Sequence, residues 1–326
     1  MADCHPSFID YLGALNLTDT QEGKLRTSRD ALLTRISSRF KDEGRGVPEY
    51  ESQGSYAINT QNRPISDDFD LDHGVYLVHW GDNEPVAVDE AFRLVSEAVQ
   101  GQTTIPLPHK DTCVRVQYKA AADGTPAHHI DLAIYRKKTD GSRLYAHRVS
   151  GWQPSDQKGF ISHYKAKSND QIRALVRLFK GWSDYQGTKG GEKMPSGFHF
   201  TVCILDCSAL SPDRHDRAFV LTAEGIRDRL SAYRSGTGNP VRRPVIPKDN
   251  IFENYSPGRL DHLIKKLNEI SIQGRRALNE GDPGAAQRIW RDLFGDRFQA
   301  PEPSDLSEAK KPWSAPAVIG TSGKAA

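Results

Sequence analysis

Cysteine is scarce in this chain, and its few thiols are irregularly spaced. The 326 residues include four cysteines, at positions 4, 113, 203 and 207. A disulfide-stabilised secreted domain carries a denser and more regular set. Cys203 and Cys207 are one helical turn apart, but the two further histidines or cysteines that a tetrahedral zinc site needs are not nearby. The pattern predicts small buried thiols in a reducing cytoplasm.

Long apolar runs and a strong excess of one charge are also missing. No run approaches the ~18 apolar residues that span a bilayer. The opening segment "MADCHPSFIDYLGAL" lacks the basic region and apolar core of a secretory signal. The formal net charge of +2 is too small to favour nucleic-acid binding through bulk electrostatics. We therefore expect a cytoplasmic protein without a membrane anchor.

The hydrophobic pattern changes character once along the chain, which is long enough for two lobes. Helical spacing over 21–40 and 88–99 alternates with strand-like runs over 69–78, 113–118 and 129–135. After about residue 150 helical patterns dominate as far as Phe298. We therefore predict an α/β (α+β) fold with three parts. These are a sheet-containing core with N-terminal helices in residues 1–150, a helical lobe in 151–299, and a flexible tail, rich in Pro, Ser, Ala and Lys, in 300–326.

Two aspartates stand one residue apart in the apolar run "FDLDHGVYL". Because side chains alternate along a strand, Asp70 and Asp72 point to the same face. Two like charges in register repel each other, so a purely structural pair without a cation is disfavoured. In "HHIDLAIY", Asp131 projects opposite an apolar face. If the two strands are neighbours, three carboxylates converge, which suits Mg²⁺ with open positions for waters and substrate phosphates.

A Gly-Ser pair precedes the aspartates in "QGSYAINTQNRPISDDFDLDHGVYL". Gly54 allows the backbone to approach a ligand closely, and the neighbouring N–H groups with the Ser55 hydroxyl can hold phosphate oxygens. The segment is not a Walker loop, because no Gly-Lys-Ser/Thr follows it. A Gly-Ser pair alone is a turn in most proteins. Its position ahead of the Asp-Leu-Asp run makes it indicative of a phosphate site.

Gly54-Ser55, Asp70-x-Asp72 and the later strand aspartate Asp131 together resemble the signature of the DNA polymerase β-like nucleotidyltransferases. The longer stretch "QGSYAINT…DFDLDHGVYL" is more particularly similar to the bacterial cGAS/DncV-like nucleotidyltransferases (CD-NTases) of antiphage signalling. The resemblance implies a polymerase β-like core with a mixed twisted sheet, a helical lobe that closes over the nucleotides, and an active site between them. It covers most of the chain, because later landmarks also fit.

Those landmarks add residues for the nucleotide. "NDQIRALVRLFKGW" resembles the family's helix with a lysine on the donor triphosphate, here Lys180, and "KMPSGFHFTVCILDC" resembles the element with a phosphate-binding serine, here Ser196. Gln53 occupies a position at which such enzymes often contact a nucleotide. Arg173 and Arg177 share a face with Lys180, but a solvated basic stripe is the favoured interpretation of the two arginines. Arg115 is expected either at the acceptor nucleotide or paired with the carboxylates.

The resemblance implies a cyclic oligonucleotide synthase. Asp70, Asp72 and Asp131 would hold two Mg²⁺ ions, or Mn²⁺, while a ribose hydroxyl attacks the α-phosphate of a ribonucleoside triphosphate and pyrophosphate leaves. A purine-containing cyclic di- or trinucleotide, such as cyclic GMP-AMP made from ATP and GTP, is the expected product. A linear oligonucleotide synthase, another polymerase β-like nucleotidyltransferase and an inactive nucleotide-binding module remain alternatives.

Two further expectations concern partners. The sequence contains no His-Cys-Cys-Cys zinc insertion of the animal cyclic GMP-AMP synthase type, so we expect no direct DNA sensing. Some relatives are encoded beside ubiquitin-transfer-like enzymes that join the synthase's C-terminus to a target. The small residues of "SGKAA" at the end of this sequence are compatible with such a partner, and equally with an unused end.

Overall fold

The computed structural model describes residues 2–66, 68–78, 87–120, 122 and 126–301. Six strands lie mainly in the first half of the chain, and helices fill the second half. The strands are β1 (Glu49–Ser52), β2 (Phe69–Leu77), β3 (Val114–Tyr118), β4 (His128–Lys137), β5 (Arg143–His147) and β6 (Gly151–Pro154). The helices are α1 (His5–Ala14), α2 (Asp19–Asp42), α3 (Gly54–Ala57), α4 (Val88–Val99), α5 (Gln157–Lys167), α6 (Asp170–Thr188), α7 (Gly197–Cys207), α8 (His215–Arg234), α9 (Pro257–Asn279) and α10 (Pro283–Phe294).

The strands form one mixed sheet. Its order is β1-β2-β4-β5-β6, and β3 also pairs with β4. β2 and β4 are parallel, whereas the other pairs are antiparallel. A parallel pair needs a long crossover, and the chain between β2 and β4 supplies α4 and β3 for it. The mixed α/β architecture predicted from the sequence is confirmed.

One face of the sheet is apolar and carries two helices. Phe69, Leu71 and Val75 of β2 are all at most 1% exposed and belong to one cluster with side chains of α2 and α4. α2 begins at a capping box in which Thr18 and Gln21 satisfy each other's backbone N–H groups. The opposite face of β2 presents the even-numbered residues, including both aspartates, so burial of the odd-numbered set fixes where the carboxylates point.

A second cluster of buried residues is built almost entirely from helices. It joins α5, α6, α7, α8, α9 and α10, and α1 lies in it as well. Phe8 of α1 packs edge-on against Trp290 and Phe294 of α10, with ring centroids 4.9 and 5.5 Å apart. We call this cluster the helical lobe, and the sheet with α2, α3 and α4 the sheet lobe.

The elements agree with the sequence prediction where their hydrophobic period is strong. α2, α4, β2, β3 and β4 all lie within a few residues of their predicted spans. β5 and β6 were not predicted, because they are short and only Ala146 among their residues is fully buried. The division at residue 150 remains a prediction, although α1 packs with the helical lobe and β6 completes the sheet. The predicted tail lies outside the described residues from 302 onward.

Among the described residues, no helix is both long and apolar enough to cross a membrane.

Candidate active site

The three predicted carboxylates come together on neighbouring strands. β2 and β4 run parallel with Asp72 directly opposite Asp131, and Asp70 lies opposite His129. Because side chains at paired positions point to the same face of a sheet, Asp70, Asp72 and Asp131 all project from the face away from α2 and α4. The adjacency on which the sequence prediction depended is therefore present.

This clustering of negative charge is reflected in the protonation of Asp72. Burial raises the pKa of Asp72 to about 7, and the neighbouring carboxylates of Asp70 and Asp131 add to the effect, while Lys180 and Arg115 oppose it. The ionised form of a buried carboxyl group is disfavoured beside two other carboxylates unless a cation lies close to it. The site therefore favours a positive group between the strands.

Arg115 supplies part of that positive charge. It lies on β3 directly opposite Asp131, and its guanidinium donates from Nε and Nη2 to the two carboxylate oxygens at 2.7 and 2.6 Å. This is the bidentate geometry that guanidinium and carboxylate groups adopt in their strongest pairs. Arg115 was expected either to contact the acceptor nucleotide or to pair with the carboxylates, and in the structure it pairs with Asp131.

Gly54 packs directly against the second aspartate. Its backbone φ is +57°, and a Cβ built there would lie 1.9 Å from Oδ2 of Asp72, so only glycine fits this position without displacing the carboxylate. The preceding backbone N–H of Gln53 donates to the carbonyl oxygen of Asp72 at 3.0 Å. The Gly-Ser turn and β2 are thus held in contact beside Asp72, and the phosphate-binding role of the turn stays a prediction.

Ser55 borders a cavity of about 300 Å³ together with Asp70, Arg115 and Lys180. Its carbonyl oxygen accepts from the backbone N–H of Thr60 at 2.9 Å, which closes the turn after α3. Backbone hydrogen bonds at Gln53 and at Ser55 itself therefore hold the segment that carries the Ser55 hydroxyl.

The side chain of Gln53 lies within the sheet lobe. It is 5% exposed. Nε2 donates to the Tyr76 hydroxyl at 3.0 Å, and Oε1 accepts from the Tyr135 hydroxyl at 3.1 Å. Both ends of the amide thus bond to buried tyrosines further along the sheet, which anchors the turn. A contact between Gln53 and a nucleotide stays a prediction.

Lys180 extends from α6 of the helical lobe toward the carboxylates. Its ammonium donates to the Thr60 carbonyl at 2.7 Å. Burial lowers the pKa of Lys180 to about 8, although the charges of Asp70 and Asp72 act in the opposite direction. A cation partly removed from water and facing two carboxylates is available to an anionic ligand. The structure therefore places Lys180 near Asp70 and Asp72, and its contact with the donor triphosphate stays a prediction.

The segment 58–66, here called the crossing loop, ties the two lobes together along one face of α6. Besides the Lys180 bond, Asn62 exchanges hydrogen bonds with the Arg177 carbonyl at 2.8 Å and the Arg177 guanidinium at 3.1 Å. The N–H of Ile65 donates to Asp184 at 2.7 Å. Arg177 therefore has a structural role. Arg173, one turn away, pairs only with exposed Asp170.

Ser196 lies immediately before α7, at the rim of a second cavity of about 790 Å³ that Lys180 also lines. Its hydroxyl does not cap the helix but pairs with Nδ1 of His199 at 2.8 Å. His199 was missed in the sequence because one histidine at helical spacing carries no distinctive pattern. Its position three residues after Ser196 was the available signal.

The two cavities are neighbours. Lys180 and Asp184 line both of them. The smaller cavity is lined by Asp70 of the three carboxylates, and the larger one is bordered by Ser196, Tyr255 and Arg259. The site is therefore a cleft between the lobes with Lys180 at its centre.

The donor set fits a hard divalent cation. Carboxylate oxygens are the ligands that Mg²⁺ and Mn²⁺ prefer, and the raised pKa of Asp72 marks a place where added positive charge is favourable. In the described part of the chain no three acidic, histidine or cysteine side chains are gathered closely enough to hold a metal as they stand. The Asp131 carboxylate is directed at Arg115, so metal binding there requires this ion pair to loosen.

Comparison with known proteins agrees with this geometry. Residues 48–135, from just before β1 to two residues before the end of β4, match the family model for the nucleotidyltransferase domain of cyclic GMP-AMP synthase DncV-like proteins. A cyclic AMP-AMP-AMP synthase from an Acinetobacter species is 23% identical over 257 residues, which are 75% of this chain and 71% of that protein.

Solved structures extend the likeness to both lobes. The cyclic AMP-GMP synthase DncV of Vibrio cholerae, in complex with nonhydrolyzable GTP, superposes with a TM-score of 0.76 at 17% identity over 92% of this chain and 97% of that one. The Bradyrhizobium diazoefficiens CD-NTase CdnG in complex with GTP gives 0.72 at 16% identity over 90% and 95%. Residues 48–135 thus match a DncV-like nucleotidyltransferase domain, and the chain as a whole shares the fold of DncV and CdnG.

Proposed function

We propose that this protein joins ribonucleoside triphosphates into a cyclic oligonucleotide and releases pyrophosphate at each joining step. The observation that carries the proposal is the register of β2 and β4, which sets Asp70, Asp72 and Asp131 on one face. Around these carboxylates lie the Gly54-Ser55 turn and Lys180. A metal-binding triad beside cationic and hydroxyl groups is what phosphoryl transfer between nucleotides requires.

In this proposal Asp70, Asp72 and Asp131 hold two Mg²⁺ or Mn²⁺ ions. When bound, such ions stabilise the negative charge on the attacking and leaving oxygens. The other residues bind and orient. Lys180 neutralises charge on the donor triphosphate, and the hydroxyls of Ser55 and Ser196 hold its phosphate oxygens. Gly54 keeps the backbone close to Asp72, and Gln53 anchors the turn from within the sheet lobe.

The paired cavities support a role for two nucleotides. The donor triphosphate would extend from the cavity bordered by Ser196 and Lys180 to Ser55 at the edge of the smaller cavity, and the acceptor hydroxyl would approach it beside Asp70 and Arg115. A cyclic product then requires the linear intermediate to reorient in the cleft, so that its free hydroxyl attacks its own triphosphate. Lys180, which borders both cavities, would contact the nucleotide in either orientation.

The named relatives inform the choice of bases. One is a cyclic AMP-AMP-AMP synthase and another a cyclic AMP-GMP synthase, so adenine is common to both products. We propose ATP as a substrate, with GTP as the expected second one, and a purine-containing cyclic di- or trinucleotide as the product. Its role would be that of a cytoplasmic second messenger in antiphage defence.

Product analysis tests this function. The purified protein would be incubated with radiolabelled ATP, GTP, CTP and UTP, singly and in pairs, with Mg²⁺ or Mn²⁺. A cyclic product labelled at its α-phosphates is unchanged by phosphatase because it has no terminal phosphate, whereas a linear oligonucleotide loses its terminal phosphates and changes its chromatographic mobility. A phosphatase-sensitive product would identify a linear synthase. Absence of pyrophosphate release from every nucleotide would identify an inactive binding module.

A matched pair of variants tests the carboxylates. Asp70→Asn with Asp72→Asn should abolish product while the protein stays folded, because it removes the metal ligands and their mutual repulsion. The control is Asp228→Asn with Asp261→Asn, which removes two exposed carboxylates from the helical lobe and should leave synthesis unchanged. Product formation by the first variant at the rate of the control would overturn the metal assignment.

The expected partner at the end of the chain stays part of the proposal. The residues concerned, Ser322 to Ala326, lie outside the described residues. Their deletion should leave basal synthesis unchanged and abolish conjugation by a ubiquitin-transfer-like enzyme encoded beside the synthase. Conjugation of the truncated protein through its new end, or none with the full chain, would contradict this partner.

A further inference from the structure

His199 is held between two partners at the edge of the larger cavity. Its Nε2 lies 3.0 Å from the carbonyl oxygen of Ile251, and its Nδ1 lies 2.8 Å from the hydroxyl of Ser196. The ring also packs against Phe252 and Tyr255, with centroids 5.2 Å away in each case. The imidazole is therefore fixed in position, and both of its nitrogens are engaged.

The two contacts determine where the hydrogens lie. A carbonyl oxygen can only accept, so Nε2 carries a hydrogen and donates it to Ile251. Burial, followed by the nearby charges of Arg259 and Arg243, lowers the pKa of His199, so the ring is neutral at neutral pH and Nδ1 is an acceptor. Ser196 therefore donates its only hydroxyl hydrogen to His199.

A phosphate oxygen would compete with His199 for the hydroxyl hydrogen of Ser196. It also only accepts, so Ser196 can donate to it only if its hydrogen leaves Nδ1 of His199. The lone pair on Nδ1 would then face a lone pair on the hydroxyl oxygen, and the contact between these two acceptors would be repulsive. Because Ile251 retains the hydrogen on Nε2, the contact is restored only if Nδ1 takes up a proton.

We propose that His199 is a positioning residue which takes up a proton from solvent when the donor triphosphate binds, and so turns the Ser196 hydroxyl toward the phosphates. The inference rests on the proposed function, since it needs a triphosphate in this cavity. In the bound state Nδ1–H would donate to Ser196, Ser196 would donate to a phosphate oxygen, and Nε2–H would stay on Ile251.

The charged groups around His199 support this direction of change. Arg259 lies on α9, Arg243 is paired with Asp249 in the segment before α9, and Lys180 reaches from α6 to within contact of Gly197. These cations disfavour a charged imidazole in the free protein. A bound triphosphate would bring several negative charges among them, which would raise the pKa of His199. Affinity for the triphosphate should therefore rise as the pH falls.

The first test uses the unaltered protein. Calorimetry would follow binding of an ATP analogue with a methylene bridge between its α- and β-phosphates, in Mg²⁺, at neutral pH, in Pipes and in Tris buffer. Buffers that differ in ionisation enthalpy report proton uptake directly. We expect net uptake that approaches one proton per analogue bound, after subtraction of the analogue's own titration.

Three variants test whether the proton taken up on binding goes to His199. The amide introduced by His199→Asn can donate to Ser196 without protonation, because its oxygen and nitrogen exchange places by rotation. It should bind the analogue with little change in affinity and without proton uptake. His199→Gln reaches toward Ile251 instead and should bind more weakly at every pH. Ser196→Ala should also lose the proton uptake, and adding His199→Gln to it should weaken binding no further.

The dissociation constants give the decisive comparison. The ratio of the parent's value to that of His199→Asn should rise by about fivefold or more from about pH 6 to about pH 8, since uptake of one proton changes affinity by up to tenfold per pH unit. Equal pH dependence in both proteins, or proton uptake retained by Ser196→Ala, would overturn the role of His199. If the parent binds the analogue without proton uptake, only this inference fails. If the parent binds no nucleotide at all, the proposed function fails with it.

Discussion

Gly54 and Asp72 are in such close contact that no larger residue fits at position 54 beside the carboxylate. A Cβ at this glycine would lie 1.9 Å from Oδ2 of Asp72 and 2.8 Å from its Cγ. The motif glycine and the central aspartate therefore act as a unit. The turn before α3 limits where the carboxylate can lie, and any enlargement of the turn moves a proposed metal ligand.

Replacement of Gly54 with alanine should reduce pyrophosphate release by about a hundredfold, because displacement of a catalytic group by about 1 Å has an effect of this size. Gly44→Ala is the control. Gly44 has a similar φ of +67° but nothing within 4 Å of the added methyl, so both variants incur the left-handed backbone penalty of about 1–2 kcal/mol. Equal activity in the two variants would show that the contact with Asp72 does not matter.

Lys180→Ala should weaken binding of the non-hydrolysable ATP analogue by about tenfold or more, since it removes a charged partner of the triphosphate. The lost bond to Thr60 should lower the free energy of unfolding by only about 1 kcal/mol. Lys137→Ala, which removes a lysine paired with Glu49 on the sheet, is the control for both measurements. Unchanged affinity in Lys180→Ala would leave Lys180 with a packing role alone.

Arg115→Met should increase the affinity of the nucleotide-free protein for Mn²⁺ by about threefold or more. The guanidinium holds both oxygens of Asp131, so it competes with a cation for the same carboxylate. Asp131→Asn should lower the affinity instead. Electron paramagnetic resonance of free Mn²⁺ measures both variants without reference to catalysis. A lower affinity in Arg115→Met would mean that the arginine helps to organise the metal site.

Arg177→Ala should lower the free energy of unfolding by about 2 kcal/mol, because it leaves partly buried acceptors in the crossing loop and in α1 without their donor. Arg177 bonds to Asn62, Asn16 and the carbonyl of Leu12. Arg173→Ala, on the same helix, breaks only a pair with an aspartate that is 97% exposed and should change stability by less than about 0.5 kcal/mol. Urea denaturation compares the two. Similar losses would refute the structural role given to Arg177.

The convergence of the aspartates could be predicted from sequence because it follows from local rules. Alternation along β2 sets Asp70 and Asp72 on one face, and the buried Phe69 and Leu71 select which face that is. The position of Asp131 needed one further assumption, that β4 lies beside β2. That neighbourhood is a property of topology, and here the resemblance to a known family supplied what the pattern did not.

Contacts between distant segments were beyond prediction. The guanidinium of Arg115 might have faced either a nucleotide or a carboxylate, and the choice depends on the register of β3 against β4. The bonds from Gln53 to two tyrosines could not be foreseen, because these tyrosines lie 23 and 82 residues away in sequence. The His199 contact to Ile251 spans 52 residues. Such pairs leave no periodic signal in the sequence.

The packing of α1 against α10 has a consequence for the construction of chimeric enzymes. Leu15 belongs to the helical lobe and Leu17 to the apolar cluster of the sheet lobe, so the chain passes from one to the other within two residues and returns after β6. The sheet lobe is thus an internal insertion in the helical one. Exchange of modules between relatives should therefore cut near Asn16 and again near Ser155, because a single junction at mid-chain would separate Phe8 from the aromatic rings that enclose it.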